Sequence, residues 1–545
     1  MRRKLYTFSL DMVTGDEYTA YGADRQDVAP WFAIVCVDCR HAEVYLQSMR
    51  NPPALGRSLP GINPGAVSGY VVTLGIVFAA FLVYALLRKP LYLWAAAGLP
   101  VALLVVSNPR VALWQFVFVL FIYVPAIRSI PLYLVDISAM LAILAAALDL
   151  FLRGGGPGRP PLLAGNYLAI LAALAIAGLF SYDPSRALRP LLRVGVLFVT
   201  FLSVYRLAGR ADVARMLSLF FGLCAVYSAF VVGQFLAGGG SVRVFGLARV
   251  AFDELAMLAL PVGVALFLWS SDRRAIPYLI GSVLVAGALV ATQSRASILF
   301  GFTAAFLALA ITFLRVRRMR GATGLAGADA GLVLTARSAG RRSGALVVSF
   351  LVLAATVMVL QQGLFQGVLA RFEGLFTSRP GGTFLLRITL WKTALAAFWD
   401  HPLLGVGPGM FRRISDVYTT IHLDPTFLWV RGKSAHNLFL HYLAETGLVG
   451  AAALLALFVN QLRLIRRRWV RVADPNRFGP TLALYLCGLL LLATTLLEAG
   501  WMWGQTGFIA VFFLAVIARQ ADRDRRASLR SVTAAGLAES ESTPG

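Results

Sequence analysis

From about residue 69 to residue 520 the chain is a succession of apolar runs, most of them near the roughly 20 residues a helix needs to cross hydrocarbon. Inside a bilayer the backbone N–H and C=O groups have no water to bond. Each run must therefore satisfy them internally, as a helix. Spans are expected to begin near residues 69, 91, 111, 131, 162, 190, 216, 255, 276, 296, 344, 438, 480 and 504. The fold class that follows is all-α: a polytopic membrane bundle of about 12–14 transmembrane helices with one large loop containing amphipathic helix. A mean hydropathy of +0.74 and a charged fraction of 14% exclude an ordinary soluble domain.

The net charge of +24 invites a nucleic-acid reading, but the arginines fall in short clusters between apolar runs. Arg315, Arg317, Arg318, Arg320, Arg337, Arg341 and Arg342 fill one connection. Arg463, Arg466, Arg467, Arg468 and Arg471 fill another, and Arg519, Arg523, Arg525 and Arg526 follow the last run. Cytoplasmic loops carry such clusters, so the charge reports topology and no nucleic-acid partner is expected. An even number of spans then puts both termini inside, together with Arg153, Arg159, Arg206, Arg210, Arg273 and Arg274. The expected organisation is a polar tail over 1–66, helices 1–11 over 67–360, a large periplasmic loop over 361–436, helices 12–14 over 437–520 and a cytoplasmic tail over 521–545. The tail begins without a signal-peptide pattern, and Met49 offers a second start close to the first span.

Four cysteines are too few for a disulfide framework. Cys224 and Cys487 lie in apolar runs as small hydrophobes, and Cys36 and Cys39 form a lone CxxC without the second pair a zinc site needs.

On this topology the corner SVRVFGLARVAFDE, the turn TQSRAS, the long loop and His436 share the outer face. A long polar loop between spans is where specific chemistry has room. His436 stands at the mouth of a span, where neutral imidazole, titrating near pH 6.5, can accept a proton from a hydroxyl. The bland alternative is an interfacial histidine bonded to loop backbone. The arginines sharing the face, and the lack of another outer histidine beside a helix entrance, weigh against it. Arg243 and Arg295 stand at outer span ends, where the positive-inside bias does not put arginine; a planar guanidinium there fits phosphate oxygens bidentately.

Within Thr383 to Asp400, Leu386, Leu390, Ala394 and Phe398 repeat at helical spacing. This predicts an amphipathic helix on the membrane surface, with Trp391 and Trp399 as anchors and Arg387 on its polar side. The Gly/Pro-rich HPLLGVGPGMF that follows is suited to wrapping a ligand, and no GK[ST] makes it a P-loop. Asn437, His441 and Glu445 form an i, i+4, i+8 stripe read as helix packing, with Gly447 and Gly450 allowing close helix approach.

TQSRASILFG, LLRITLWKTALAAFWDHPLLGVGPGMF and SAHNLFLHYLAETGLVG together resemble the O-antigen ligase and polymerase superfamily of bacterial envelope glycan assembly. VRVFGLARVAFDELAM is similar to that family's R-x-x-G-x-x-x-x-x-N element, with Glu254 near the usual asparagine. The resemblance implies an integral inner-membrane, metal-independent inverting glycosyltransferase without cofactor. Its donor would be an undecaprenyl-diphosphate-linked glycan, and its acceptor lipid A-core or another envelope glycan at the periplasmic face. Carried over by position, His436 would be the base or acceptor-orienting residue, and Arg295, with Arg243 and Arg387, would hold the diphosphate, His436 and Arg295 forming the catalytic pair. Arg243, Arg387, Asn437 and Trp391 bind substrate. A ligase is the first reading and a polymerase of the same superfamily the second. A lipid-linked glycan flippase would line a midplane path with charges from broken, repeated helices.

Overall fold

The computed structural model describes residues 102–121, 125–127, 132–153, 160–209, 212–237, 252–270, 272–322, 330–360, 366, 383–419, 432–469, 475–496 and 504–541. The polar tail over 1–66, Cys36, Cys39, Arg243 and the spans expected near 69 and 91 lie outside them.

Apart from one short antiparallel ribbon and the turns and connections, the described residues are helical. In chain order they form α1 (Pro109–Val119), β1 (Pro125–Ile127), β2 (Leu132–Tyr133), α2 (Leu134–Arg153), α3 (Ala164–Leu179), α4 (Pro184–Ala208) and α5 (Val213–Ala237). Then follow α6 (Phe252–Trp269), α7 (Asp272–Thr292), α8 (Arg295–Ala322) and α9 (Ala330–Leu360). The chain continues through α10 (Thr383–Asp400), α11 (Phe411–Thr419), α12 (Leu438–Trp469), α13 (Pro475–Thr495) and α14 (Gly504–Glu541). The ribbon pairs Pro125 with Tyr133 and Ile127 with Leu132.

Among the described residues nine helices are long and apolar enough to cross a membrane, lying in α2, α4 to α9, α12 and α13. α1 and α3 are apolar but shorter. The chain is thus a multi-pass helical membrane protein, as its apolar runs require. The segment from 504 forms a helix that runs on through its arginines to Glu541.

Burial sorts the helices into layers. The apolar window of α6 is 89% buried and that of α13 is 72% buried, against 17% for α9, so α6 and α13 form the centre. Phe306 and Phe313 on α8 and Val226 on α5 instead face outward, as lipid-facing side chains do.

Central packing also fixes helix direction. Gly479 at the start of α13 lies against Trp269 at the end of α6. The Cys487 thiol donates to the Leu258 carbonyl nearer the start of α6. The two helices are therefore antiparallel, and Leu496 after α13 lies at the end where α6 begins. α2 and α4 run parallel in fixed register: Arg193 pairs with Asp136 at 2.7 Å and Arg206 with Asp149 at 2.9 Å, both 57 residues apart.

At the end where α4 and α6 finish, arginines cap the helix C-termini. Arg523 donates to the Gly209 carbonyl and Arg342 to those of Leu268 and Ser270. The Arg315 guanidinium lies 4.0 Å from the Phe478 ring centre. Cations here meet the exposed carbonyls and the negative pole of each helix.

Candidate active site

The opposite end carries the candidate residues. His436 is half-buried, and its backbone has φ 46°, a left-handed conformation that non-glycine residues adopt only when the surroundings impose it. Those surroundings are Ala435, buried in one apolar cluster with Leu386 and Leu390 of α10, and Asn437, the N-cap of α12. The Asn437 side-chain oxygen accepts the Leu440 amide at 2.9 Å, and its amide donates to the Leu496 carbonyl at 3.0 Å. Asn437 thereby ties the start of α12 to the end of α13.

That tie also locates Arg295. It is the first residue of α8, just after Gln293 at φ 54°, and the Ser297 hydroxyl donates to Asp253 at the start of α6 at 2.8 Å. The starts of α6, α8 and α12 and the end of α13 therefore share one end of the bundle. Arg295 and His436 lie there, away from the arginine-capped end.

The amphipathic helix forms with the bounds its periodicity predicts, and its stripe is buried: Leu386, Leu390, Ala394 and Phe398 are each 9% exposed or less. Arg387 and Trp391 stand half-buried beside the stripe, one turn apart. The Trp391 indole nitrogen is buried without a hydrogen-bond partner among the described residues. Trp399, expected to anchor the helix, is 73% exposed. α10 packs against α12, the helix that His436 precedes, while Arg243 is outside the described residues.

The turn after α10 departs from its expected role. α12 breaks at Gly447, where φ is 59° and ψ is −156°. An unbroken helix would bond the Leu448 amide to the Ala444 carbonyl and the Val449 amide to the Glu445 carbonyl. The turn takes all four groups instead. The Val406 amide bonds to Ala444 O at 3.0 Å and the Gly407 amide to Glu445 O at 3.0 Å. The Leu448 amide bonds to Pro402 O at 2.9 Å and the Val449 amide to Leu403 O at 3.4 Å. A Cβ on Gly405 would meet the Glu445–Thr446 peptide, one on Gly407 Ser181, one on Gly409 Pro190, and one on Gly447 the backbone of Leu403. The Gly/Pro-rich turn therefore wraps the chain's own broken helix, and Gly447 admits loop backbone instead of a neighbouring helix.

Glu445 completes the docking. Its carboxylate is buried and accepts the Gly409 amide at 2.8 Å and the Phe411 amide at 3.0 Å, while His441 Nε2 stands 3.4 Å away. The reading of Glu445 and His441 as helix packing is corrected in its partner: the carboxylate serves an upstream turn. The His441 ring lies edge-on to Phe411 at 5.4 Å, and neither ring nitrogen has a hydrogen-bond partner among the described residues.

On its other side the turn meets the α3–α4 connection. Pro190 leaves the Arg186 carbonyl without its helical donor, and Gly409 packs against both residues. Asp183 bonds Arg186 at 2.9 Å and lies 3.7 Å from Arg413 of α11. The Ser185 hydroxyl, ahead of Arg186, holds the Asp183 carboxyl below its ordinary range. Burial and then a hydrogen bond to Asp400 push the Tyr418 phenol up to about 12. A second histidine on this face, His401 at the exit of α10, lies 2.7 Å from the Tyr182 hydroxyl.

The sequence reading passed over the α3–α4 connection and Arg412, which directly follows the turn at the start of α11. Their signal was present: Arg186, Arg189 and Arg193 recur at helical spacing. Among the described residues no three His, Cys, Asp or Glu side chains group as metal ligands.

Residues 280–455, from within α7 to within α12, match the sequence model of a family described as O-Antigen ligase. The match contains Arg295, Arg387, Trp391, His436 and Asn437, and Arg243 precedes it. No curated protein matches the chain.

Proposed function

We propose, from the match of residues 280–455 to an O-antigen ligase family model, that this chain is a membrane glycosyltransferase moving a glycan from undecaprenyl diphosphate to an acceptor hydroxyl. His436 takes the proton of the acceptor O–H as that oxygen attacks the anomeric carbon. The bond from that carbon to the diphosphate oxygen breaks with inversion, and the lipid diphosphate leaves with the electron pair. The leaving group is already good, so it needs charge neutralisation more than protonation. Arg295, Arg387 and Arg243 supply that, with Trp391 and Asn437 lining the substrate.

The observation carrying this reading is the left-handed backbone of His436, imposed at the end of the bundle that also bears Arg295. Strain maintained at a histidine fits a required ring orientation. Arginines concentrate at the opposite end, which by the positive-inside rule supports reading the His436 end as periplasmic, in a bacterial inner membrane as the resemblance implies.

A broken helix is what a flippase would have, but here the groups freed at Gly447 are taken by the turn after α10. The acceptor, lipid A-core for a ligase or a growing glycan for a polymerase, is read from a deletion strain. Loss of a ligase leaves long lipid-linked polymer, whereas loss of a polymerase leaves acceptors capped by single units. His436→Ala reproduces the deletion phenotype at normal membrane abundance. Full transfer by that variant removes the proposed base.

A further inference from the structure

We infer that Asp253 is a positioning residue for Arg295: through the hydroxyls of Ser297 and Ser294 it holds the start of α8, from which Arg295 reaches the diphosphate. The inference rests on the transferase reading and names the group that aims one of its arginines.

Three observations carry it. First, the Ser297 hydroxyl donates to the Asp253 carboxylate at 2.8 Å, and the Ser294 and Ser297 hydroxyls lie 3.0 Å apart. A hydroxyl has one proton to give, so with that of Ser297 committed to Asp253, the Ser294 hydroxyl is the donor to Ser297. The chain of bonds runs one way, from Ser294 through Ser297 to the carboxylate, and Arg295 lies in sequence between the two serines. Second, the corner ahead of Arg295 is tightly set. Only Gln293 and Ser294 separate α7 from α8. Gln293 has φ 54°, its amide bonds to the Val290 carbonyl at 3.0 Å, and the Ile298 amide bonds to the Ser294 carbonyl at 2.9 Å. Third, the pairing of α6 with α8 continues one turn further on. Met257 and Gly301 each lie four residues after Asp253 and Ser297, and a Cβ on Gly301 would stand 3.5 Å from the Met257 Cα. α6 and α8 therefore run parallel in fixed register, and the Asp253 link is the rung at the end that bears Arg295.

The chemistry assigns the roles. Asp253 lies in the first turn of α6, where the positive pole of the helix favours a carboxylate. Ser297 is 4% exposed, so removing its acceptor leaves a buried hydroxyl with a lost bond. Arg295 is the first residue of α8 and half-buried, so fraying or rotation of that turn carries the guanidinium with it. Misplacing a catalytic group by about 1 Å costs on the order of 100-fold in rate.

The test uses the full-length protein in lipid nanodiscs. Binding of inorganic diphosphate is measured by calorimetry, and donor KM and kcat are measured with an undecaprenyl-diphosphate glycan. Asp253→Ala and Ser297→Ala should each weaken diphosphate binding and raise donor KM about 10-fold, readouts that a smaller folded fraction alone does not move. Asp253→Asn keeps an acceptor for Ser297 and should recover most of the loss. On an Arg295→Gln background, Asp253→Ala should add no further loss, because residues acting as a unit are not additive. Additive losses overturn the inference. So do wild-type constants in Ser297→Ala, even where Asp253→Ala does not accumulate. Amide exchange across residues 293–298 reads the clamp without the reaction: Ser297→Ala should exchange faster there, and unchanged exchange overturns the clamp. A wild-type protein that binds no diphosphate would instead remove the lipid-diphosphate reading, while leaving that exchange difference in place.

Discussion

The Phe411 amide donates to the Glu445 carboxylate at 3.0 Å, so the start of α11 hangs from a residue two turns into α12. His436 heads that same helix, and a break at Gly447 lets the intervening turn fill the gap. His436, at the head of α12, and the turn after α10 thus belong to one hydrogen-bonded unit.

Gly447→Ala should undock that unit. The added Cβ falls on the Leu403 backbone, and φ of 59° is unfavourable for any other residue. We expect new proteolytic cleavage within residues 402–411 and loss of transfer. Gly165→Ala, at a helical position with nothing within 4 Å, should leave cleavage unchanged and shift stability by no more than about 1 kcal/mol.

His436→Gly separates backbone from ring. Glycine occupies φ 46° freely, so the thermal midpoint should hold or rise, by up to about 1 kcal/mol in stability, while transfer is lost. Loss of both together would mean that the ring serves the fold.

Asp136→Ala strands the Arg193 guanidinium, which also lies 4.7 Å from the Phe508 ring centre. Breaking a fully buried pair from one side costs about 3–5 kcal/mol; this pair is part-buried, so the loss should be smaller, and adding Arg193→Met should recover most of it. Detergent unfolding curves of the three proteins check this. No recovery in the double variant would show that the pair does not act as a unit.

Asp183 makes the stability of the start of α4 depend on pH. Its carboxyl is held below the ordinary value, first by Ser185, so the linked stability is full above about pH 4 and is lost as pH falls through the lowered folded value. The thermal midpoints of wild type and Asp183→Asn should differ at pH 6 and converge in that acid range. A gap that persists there contradicts the ionic link.

Much of this was legible in order along the chain. Apolar runs near span length produced helices because hydrocarbon leaves the backbone no other partner, and the 3.6-residue repeat of Leu386, Leu390, Ala394 and Phe398 located α10 with its buried face. The arginine clusters marked one end of the bundle because short loops keep their charge where it was synthesised. α1 and α3, where spans were expected, are apolar helices shorter than the other nine.

What sequence could not disclose is any bond between segments far apart. Glu445 sits four residues after His441, so local spacing offered a partner, whereas its true donors lie 34 and 36 residues upstream. Gly447 in an apolar helix looks the same whether it admits a neighbouring helix or a loop, because the difference is the backbone that arrives there. Sequence determined which segments are helical and what chemistry each corner carries, since those depend on periodicity and side-chain type. Only the tertiary structure decided that the Gly/Pro turn closes on a broken helix and hangs the start of α11 from Glu445, since unsatisfied backbone groups are matched through space.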